Sequence, residues 1–490
     1  MKEVKTPVVD IDKDEVLEIE KLQSKSNRFF IILALLFTSL IIGLPSWILT
    51  TSVERAQLPI EEISQLNSKY LNNITYQIPV KIIDLPSPLD GIVDEAQGLL
   101  NDKLKDSLVK IKLFGSNDSV ENSYELKIIM NEETDALFIS SNADRLIKLL
   151  ITPETIKYNV ICELISRALI DTVFQTEITR VNLETKARKI IEFPFNTNYK
   201  LSINFLHSGS KMLDFEEKGE NSLNKAMKNF QSFLNTLSPY ANFTIEQQEM
   251  WFEKRVETEG EFVENGTIHI KDTSMFIDYS EWGLDQDVEM DPIINLNVYL
   301  PENEKIIIEG SNKNSFLIPQ WGGVVVCNED ETLGYDQLNE IFDIFAFQIL
   351  KFLGIDTNSD ISLFYRIDEK IRMQTVENIN ESLENYQSLL KLINQLETIP
   401  IPLQTVEEIN ESIKKVHETI TAFNELNWLK AYEASNQALK LSNIAFFHKD
   451  MLSQAYFPEE HKMAVYSPLL GPFITIVTLS LIRAIKEIRS

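Results

Sequence analysis

Hydrophobic and polar positions along the chain change their period several times. Between residues 76 and 360, short β-branched runs alternate with longer stretches of helical period. YQIPVKIIDL from Tyr76, LVKIKLF from Leu108, YELKIIM from Tyr124 and ALFIS from Ala136 read as strands. TPETIKYNVICELISRALIDTVFQ from Thr152 reads as a helix, with Thr152 as its cap, Pro153 in its first turn and Glu154 at its positive end. Strands resume at YKLSINFLH (199–207), NFTIEQQEMWF (242–252) and INLNVYLP (294–301), and a helix at 335–355 closes the region. WGG at 321–323 reads as a turn into the strand VVVC. Such alternation predicts an α/β layer architecture over residues 50–360.

From residue 361 the period becomes helical throughout. Phe364, Ile367, Ile371, Val376, Ile379, Leu383, Tyr386, Leu390 and Ile393 mark one face; after the break TIPIP, Val406, Ile409, Ile413, Val416, Ile420 and Phe423 mark another. This predicts an antiparallel helical hairpin within residues 361–463. A third helix, NWLKAYEASNQALKLSNIAFF, carries small residues suited to close packing. TVENINESL at 375 and TVEEINESI at 405 are similar, but two copies do not make a solenoid, and shared helical chemistry accounts for them.

Two uncharged runs frame this region. Residues 29–49 and 464–482 each have roughly the length of a bilayer core as a helix. Pro468 and Pro472 sit in the first turns of the second run, where a missing amide costs least. A cleaved signal peptide would start closer to the N-terminus and end at a small-residue site. A removable lipid-attachment tail would end in its apolar part, whereas this one continues with Arg483, Lys486, Glu487 and Arg489. Both runs are therefore expected as transmembrane helices. Lys21, Lys25 and Arg28 precede the first, so the positive-inside rule places residues 1–28 and 483–490 in the cytosol and the long loop outside it.

The formal charge of −28 falls mostly on that loop. So acidic a surface repels phosphate backbones, which argues against nucleic-acid binding. The two cysteines, Cys162 and Cys327, stand in apolar runs and are expected as buried free thiols, although an oxidising compartment would let them pair. No Gly-rich phosphate loop, HExxH or CxxC occurs, and the five histidines (207, 269, 417, 448 and 461) are scattered. Asp285, Asp287, Glu289 and Asp291 would share one strand face, but Met290 and Leu296 replace the glycine and glutamate of a calcium loop; a solvated acidic face is the expectation. No catalytic, cofactor-binding or metal residue is assigned. Asn-x-Ser/Thr acceptors for glycan occur at Asn73, Asn117, Asn242, Asn265, Asn380 and Asn410, a number that composition alone would produce. Threonine in third place favours Asn242 and Asn265 over the acidic NDS and NES sites.

GLPSWILTTSVERAQLPIEEI at the first run, FLIPQWGGVVVCN in the middle and AFFHKDMLSQAYFPEEHKMAVYSPLLGPF at the last resemble the PIG-S family of GPI transamidase subunits. The resemblance runs from about residue 28 to the C-terminus; its two terminal motifs are specific and the α/β middle is not. It implies a two-pass protein of the endoplasmic reticulum membrane with a large luminal domain. It also implies a non-catalytic role in attaching GPI anchors to precursor C-termini, beside a separate caspase-like catalytic subunit, with contact to GPI lipid or precursor left open. Two other classes stay open on the residues: a membrane-tethered luminal hydrolase whose site the fold assembles, and a stand-alone luminal receptor.

Overall fold

The computed structural model describes residues 29–43, 55–84, 91–131, 134–140, 145–153, 158–182, 191–207, 220–251, 262–264, 267–270, 291–301, 305–328, 333–357, 361–395, 399–449 and 459–489, with a few isolated positions besides. The architecture is mixed α/β with a helical C-terminal region, and α1 (Ile60–Tyr70) precedes the first strand. The chain divides into two compact units. One comprises Met1–Ser68, Ser382–Ile413 and Lys440–Ser490, the other Lys69–Glu381 and Lys414–Leu439.

The larger unit contains two five-stranded sheets built to one plan. The first uses β1 (Tyr76–Ile83), β2 (Val109–Phe114), β3 (Tyr124–Met130), β4 (Ala136–Ile139) and β5 (Leu146–Ile151), in the order β2-β1-β3-β5-β4. Helix α2 (Ile92–Lys103) joins β1 to β2, and α3 (Tyr158–Ala168) follows β5. All neighbours are parallel except the hairpin β4/β5. The second sheet uses β6 (Asn198–His207), β7 (Asn242–Trp251), β10 (Ile293–Leu300), β12 (Ser315–Ile318) and β13 (Gly322–Val326). Its order, β7-β6-β10-β13-β12, repeats the first sheet strand for strand. The antiparallel hairpin again lies at the edge, with α5 (Ser222–Leu237) between its first two strands and α6 (Tyr335–Phe352) after its last. The WGG turn expected before VVVC is the tip of the β12/β13 hairpin.

The two copies differ in insertions. Between β7 and β12 the second copy adds β8 (Phe262–Glu264), β9 (Thr267–Ile270) and β11 (Lys305–Ile308), which form a three-stranded sheet in the order β8-β9-β11. This small sheet packs on the second large one: Ile268, Ile270, Ile306 and Ile308 meet Leu206, Tyr299, Trp321, Val324 and Val326 in one apolar cluster, with Phe316 at its margin. Gly322 (φ 155°) is required where β13 passes β10, because a Cβ there would lie 1.9 Å from the Asn295 carbonyl oxygen.

The larger unit also contains α4 (Gln175–Asn182) and parts of three long helices, α7 (Leu363–Gln395), α8 (Leu403–Asn424) and α9 (Trp428–Phe446). α7 and α8 are the expected hairpin helices, broken at TIPIP, and α9 is the expected third. Within this unit Asn378 of α7 donates to Ser435 Oγ (3.2 Å) and Asn436 Oδ1 (2.7 Å) of α9. Within the smaller unit Asn385 makes the same pair of bonds to Ser442 (3.1 Å) and Asn443 (2.7 Å). The similar segments at 375 and 405 bury corresponding residues, Thr375, Ile379 and Ser382 against Thr405, Ile409 and Ser412. Shared helical packing therefore explains their likeness. In the smaller unit, too, Ala56 N–H donates to the Ile401 carbonyl (2.9 Å).

The last helix, α10 (Glu459–Arg489), carries the C-terminal apolar run with Pro468 and Pro472 inside it. Among the described residues no helix is long and apolar enough to cross a membrane, so the fold does not establish the two expected spans.

Candidate functional site

The densest chemistry in the larger unit is a buried cluster of charges under the first sheet. Its parts come from far apart in sequence: Tyr76 on β1, Tyr124 on β3, Arg145 before β5, Glu177 on α4, Asp368 and Arg372 on α7 and Trp428 on α9. Arg372 and Glu177 are each 1% exposed at the side chain, so the pair has almost no water to screen it. Their contact is a two-pronged fork, Nε to Oε1 at 2.9 Å and Nη2 to Oε2 at 2.7 Å, the geometry that makes a guanidinium tolerable inside a protein. Tyr76 adds a hydroxyl donor to Glu177 Oε1 at 2.6 Å.

A second fork stands beside the first. Arg145 donates to Asp368 Oδ2 (2.6 Å) and Oδ1 (3.0 Å). Tyr124 links the two, accepting from Arg372 Nη1 (2.9 Å) and donating to Asp368 Oδ2 (3.0 Å). The Trp428 ring lies beneath both guanidiniums, 5.2 Å from Arg145 and 5.5 Å from Arg372. Arg145 reaches this position from a left-handed backbone (φ 49°), a conformation that costs a non-glycine residue about 1–3 kcal/mol.

The electrostatics follow from these contacts. Burial is the largest influence and opposes the charge on Arg372, but Glu177, Tyr124 and Asp368 together outweigh it and hold the guanidinium well above its ordinary value. Burial, assisted by Glu177, pushes the Tyr76 hydroxyl well up, and burial does the same to Tyr124. Glu369, next on α7, is 9% exposed, and its carboxyl is pushed up to about 8 by burial and then by Glu177. It is thus largely protonated at neutral pH. Such a cluster can hold parts of the fold in register; its nucleophilic and basic groups are committed to one another.

The residues considered from sequence are dispersed. Cys162 and Cys327 are buried and unbridged. The Cys162 thiol faces the Ile92 carbonyl, and burial followed by Glu95 pushes it up, away from thiolate reactivity. His269 lies on β9 and His417 on α8, whereas the side chains of His207 and His461 lie outside the described residues. So do Asp285, Asp287 and Glu289. Among the described residues no group of three or more His, Cys, Asp and Glu is placed to hold a metal. Asn73, Asn117, Asn242 and Asn410 are exposed, Asn380 is half-buried and accepts the Asn72 N–H (2.9 Å), and Asn265 lies outside the described residues.

None of the charged cluster was anticipated. Asp368 and Arg372 did leave a trace, standing one helical turn apart and each directly after a residue of the apolar stripe, Ile367 and Ile371. Glu177 and Arg145 left none, because each acquires its role only from a partner some two hundred residues away.

Residues 34–490 match the family model described as Phosphatidylinositol-glycan biosynthesis class S protein. A GPI transamidase component GPI17 of Saccharomyces cerevisiae is 25% identical, covering 91% of this chain and 90% of its own length. A GPI transamidase component PIG-S homolog of Schizosaccharomyces pombe is 22% identical over 92% of this chain and 83% of its own. The GPI-anchor transamidase component PIGS of Homo sapiens is 22% identical over 92% and 94%. With a match that begins inside the first apolar run and covers the repeated α/β sheets, the long helices and the last run, the chain belongs to the PIG-S family.

Proposed function

We propose that this chain is a non-catalytic component of a GPI transamidase, supporting attachment of GPI anchors to the C-termini of precursor proteins in the endoplasmic reticulum. The observation that carries the reading is the family match over residues 34–490, together with full-length relatives each named as a transamidase component. The reaction must bring an extended peptide and a bilayer-anchored lipid together, and alignment is a large part of such a barrier. A scaffold that fixes a separate caspase-like subunit over the bilayer, against GPI lipid and precursor, meets that need without an active site of its own.

In this reading residues 29–49 and 464–482 cross the membrane, both termini are cytosolic, and residues 50–463 are luminal. Exposed large apolar side chains support it, being concentrated at Phe30, Ile31, Leu33, Leu35, Phe37, Leu40, Ile41 and Ile42 and at Phe473, Ile474, Ile476, Leu479 and Ile482. Water would penalise such surfaces and lipid would not. Four threonine and serine hydroxyls in these runs are satisfied within their own helices, Thr38 by the Ala34 carbonyl (2.7 Å), Ser39 by Leu35 (2.8 Å), Thr475 by Gly471 (2.7 Å) and Thr478 by Ile474 (2.7 Å), as a bilayer interior demands. Of the glycan acceptors, exposed Asn242 at the start of β7 is the favoured site, with Asn73 and Asn117 also accessible; the bond to Asn72 disfavours Asn380.

The test is complementation in cells lacking the protein. The intact chain should restore GPI attachment and co-purify from gentle detergent with several other membrane subunits, while a chain lacking residues 50–463 should restore nothing. Purification as a lone chain that cleaves a precursor would overturn the reading in favour of a tethered hydrolase. Glycosidase treatment should increase the chain's mobility, with one step lost in Asn242→Gln. Protease added to sealed microsomes should trim only the tails.

A further inference from the structure

Three of the free strand edges in the larger unit are covered by the protein's own side chains. On the outer side of β2, Ser107 Oγ accepts from Val109 N–H (3.1 Å), while the Gln97 carboxamide accepts from Leu113 N–H (2.7 Å) and donates to the Ile111 carbonyl (2.9 Å). On β11, Asn328 accepts from Ile306 N–H (2.8 Å) and returns a bond to its carbonyl (2.7 Å), and Asn314 accepts from Ile308 N–H (2.8 Å). On β12, the Ser311 hydroxyl accepts from Ser315 N–H (3.0 Å) and donates to the Ser315 carbonyl (2.7 Å). These caps imitate a neighbouring strand and prevent a foreign one from adding.

β4 differs. Its register pairs Ala136 with Leu150 and Phe138 with Lys148, and Ser140 N–H donates to the Leu146 carbonyl (2.9 Å). In an antiparallel ladder the bonded pairs alternate, so Ala136 and Phe138 face β5 while the N–H and C=O groups of Leu137 and Ile139 point outward. Among the described residues no side chain caps them. The strand is uncharged, and Phe138 is 56% exposed. Its counterpart in the second sheet, Phe316, packs instead against the apolar cluster under the small sheet.

The face on which Phe138 stands has a distinct charge. Lys148 is directly opposite it, with Lys127 next on β3, Lys81 on β1 and Lys112 on β2. Lys127 pairs with Asp84 at 2.7 Å, Lys110 is turned toward the carbonyls of Leu104 and Lys105, and Glu125 is the one acidic strand residue on this face. In a chain of formal charge −28 this is a local basic surface.

We propose that β4 is a docking strand: an extended segment of another subunit, apolar and flanked by acidic residues, adds to its outer edge and sets its carboxylates against Lys148 and the neighbouring lysines. Outward backbone donors and acceptors at alternate residues are matched by a β-strand and by no helix, and the lysines select its charge. The inference rests on the reading of this chain as one component of an assembly.

Hydrogen exchange on the full-length chain, free in detergent and within the purified assembly, tests it. The amides of Leu137 and Ile139 should exchange at least about tenfold more slowly in the assembly, whereas those of the capped β2 edge should be unchanged. Leu137→Pro removes a donor the sheet does not use, and it should unfold at the native midpoint while retaining about one-tenth or less of the partner. Lys148→Glu should weaken retention in the same direction. Equal exchange in both states would overturn the inference, as would protection in the free chain that grows with its concentration, since the occupant would then be a second copy. An assembly that forms normally with unprotected amides sinks this proposal alone; a chain that joins no assembly sinks the functional reading.

Discussion

The two large sheets share strand order, hairpin placement and helical connections, yet they are held by different physics. In the second, β10 and β13 read as almost unbroken apolar runs, IINLNVYL and GGVVV, and are buried on both faces. In the first, VKIKLF and YELKIIM alternate cleanly, so one face is dry and the other meets water. Parallel strands are usually covered on both sides. The second copy obtains its cover from its inserted small sheet, whereas the first has no such sheet among the described residues and locks its inner face with forked ion pairs. Topology is therefore common to the copies, and the alternation of side chains decides what each can bind.

The sharpest way to break the first lock is Arg372→Met, which strands Glu177 in the interior. It should cost about 4 kcal/mol in denaturant unfolding, and the double change Glu177→Gln with Arg372→Met should recover much of it. If the single variant unfolds at the native midpoint, the cluster is ornamental. In the second sheet the vulnerable point is steric. Gly322→Ala should cost about 3 kcal/mol because its Cβ meets backbone, while Leu146→Ala at the matching place in the first sheet should cost about 1 kcal/mol.

The outer faces offer a finer contrast. Val324 and Lys148 occupy matching positions, two residues beyond Gly322 and Leu146. Val324→Ser, placing a hydroxyl in the dry cluster, should lose about 2 kcal/mol, and Lys148→Ser should stay within about 0.5 kcal/mol. Equal losses would mean that the first sheet is covered after all.

A further contrast is set by pH. Glu369 carries a proton in the fold up to about pH 8, whereas in the unfolded chain it would ionise at an ordinary carboxylate value. The fold thus binds the extra proton, and the stability this confers is complete at low pH and disappears as pH rises through about 8. Glu369→Gln, which cannot ionise, should unfold at nearly the native temperature at acidic pH and above it in alkaline buffer. A thermal difference independent of pH would show that the carboxyl is not protonated in place.

Much of this fold was legible in one sequence. Strand and helix periods are local properties: β1 to β4, β6, β7 and β10 fell where β-branched runs stand, and α7, α8 and α9 followed stripes of threes and fours. The terminal motifs carried the family. Other features depended on partners far along the chain. That two stretches of dissimilar residues build the same sheet order is invisible locally, because strand order is set by which edges meet and not by what each strand contains. That Glu177 and Arg372 are tolerable depends on a partner 195 residues away removing the cost of burying each charge. Likewise, β2 and β4 are both short strands in the sequence; only the tertiary arrangement brings a glutamine to one edge and leaves the other bare. The sequence by itself determined most strands of the two large sheets, the long helices and the family, since periodicity and motifs are written in neighbouring residues. The tertiary structure decided which charges are neutralised and which of the edges of the first sheet stays open, since a hydrogen bond needs its partner within about 3 Å and chain distance does not provide that.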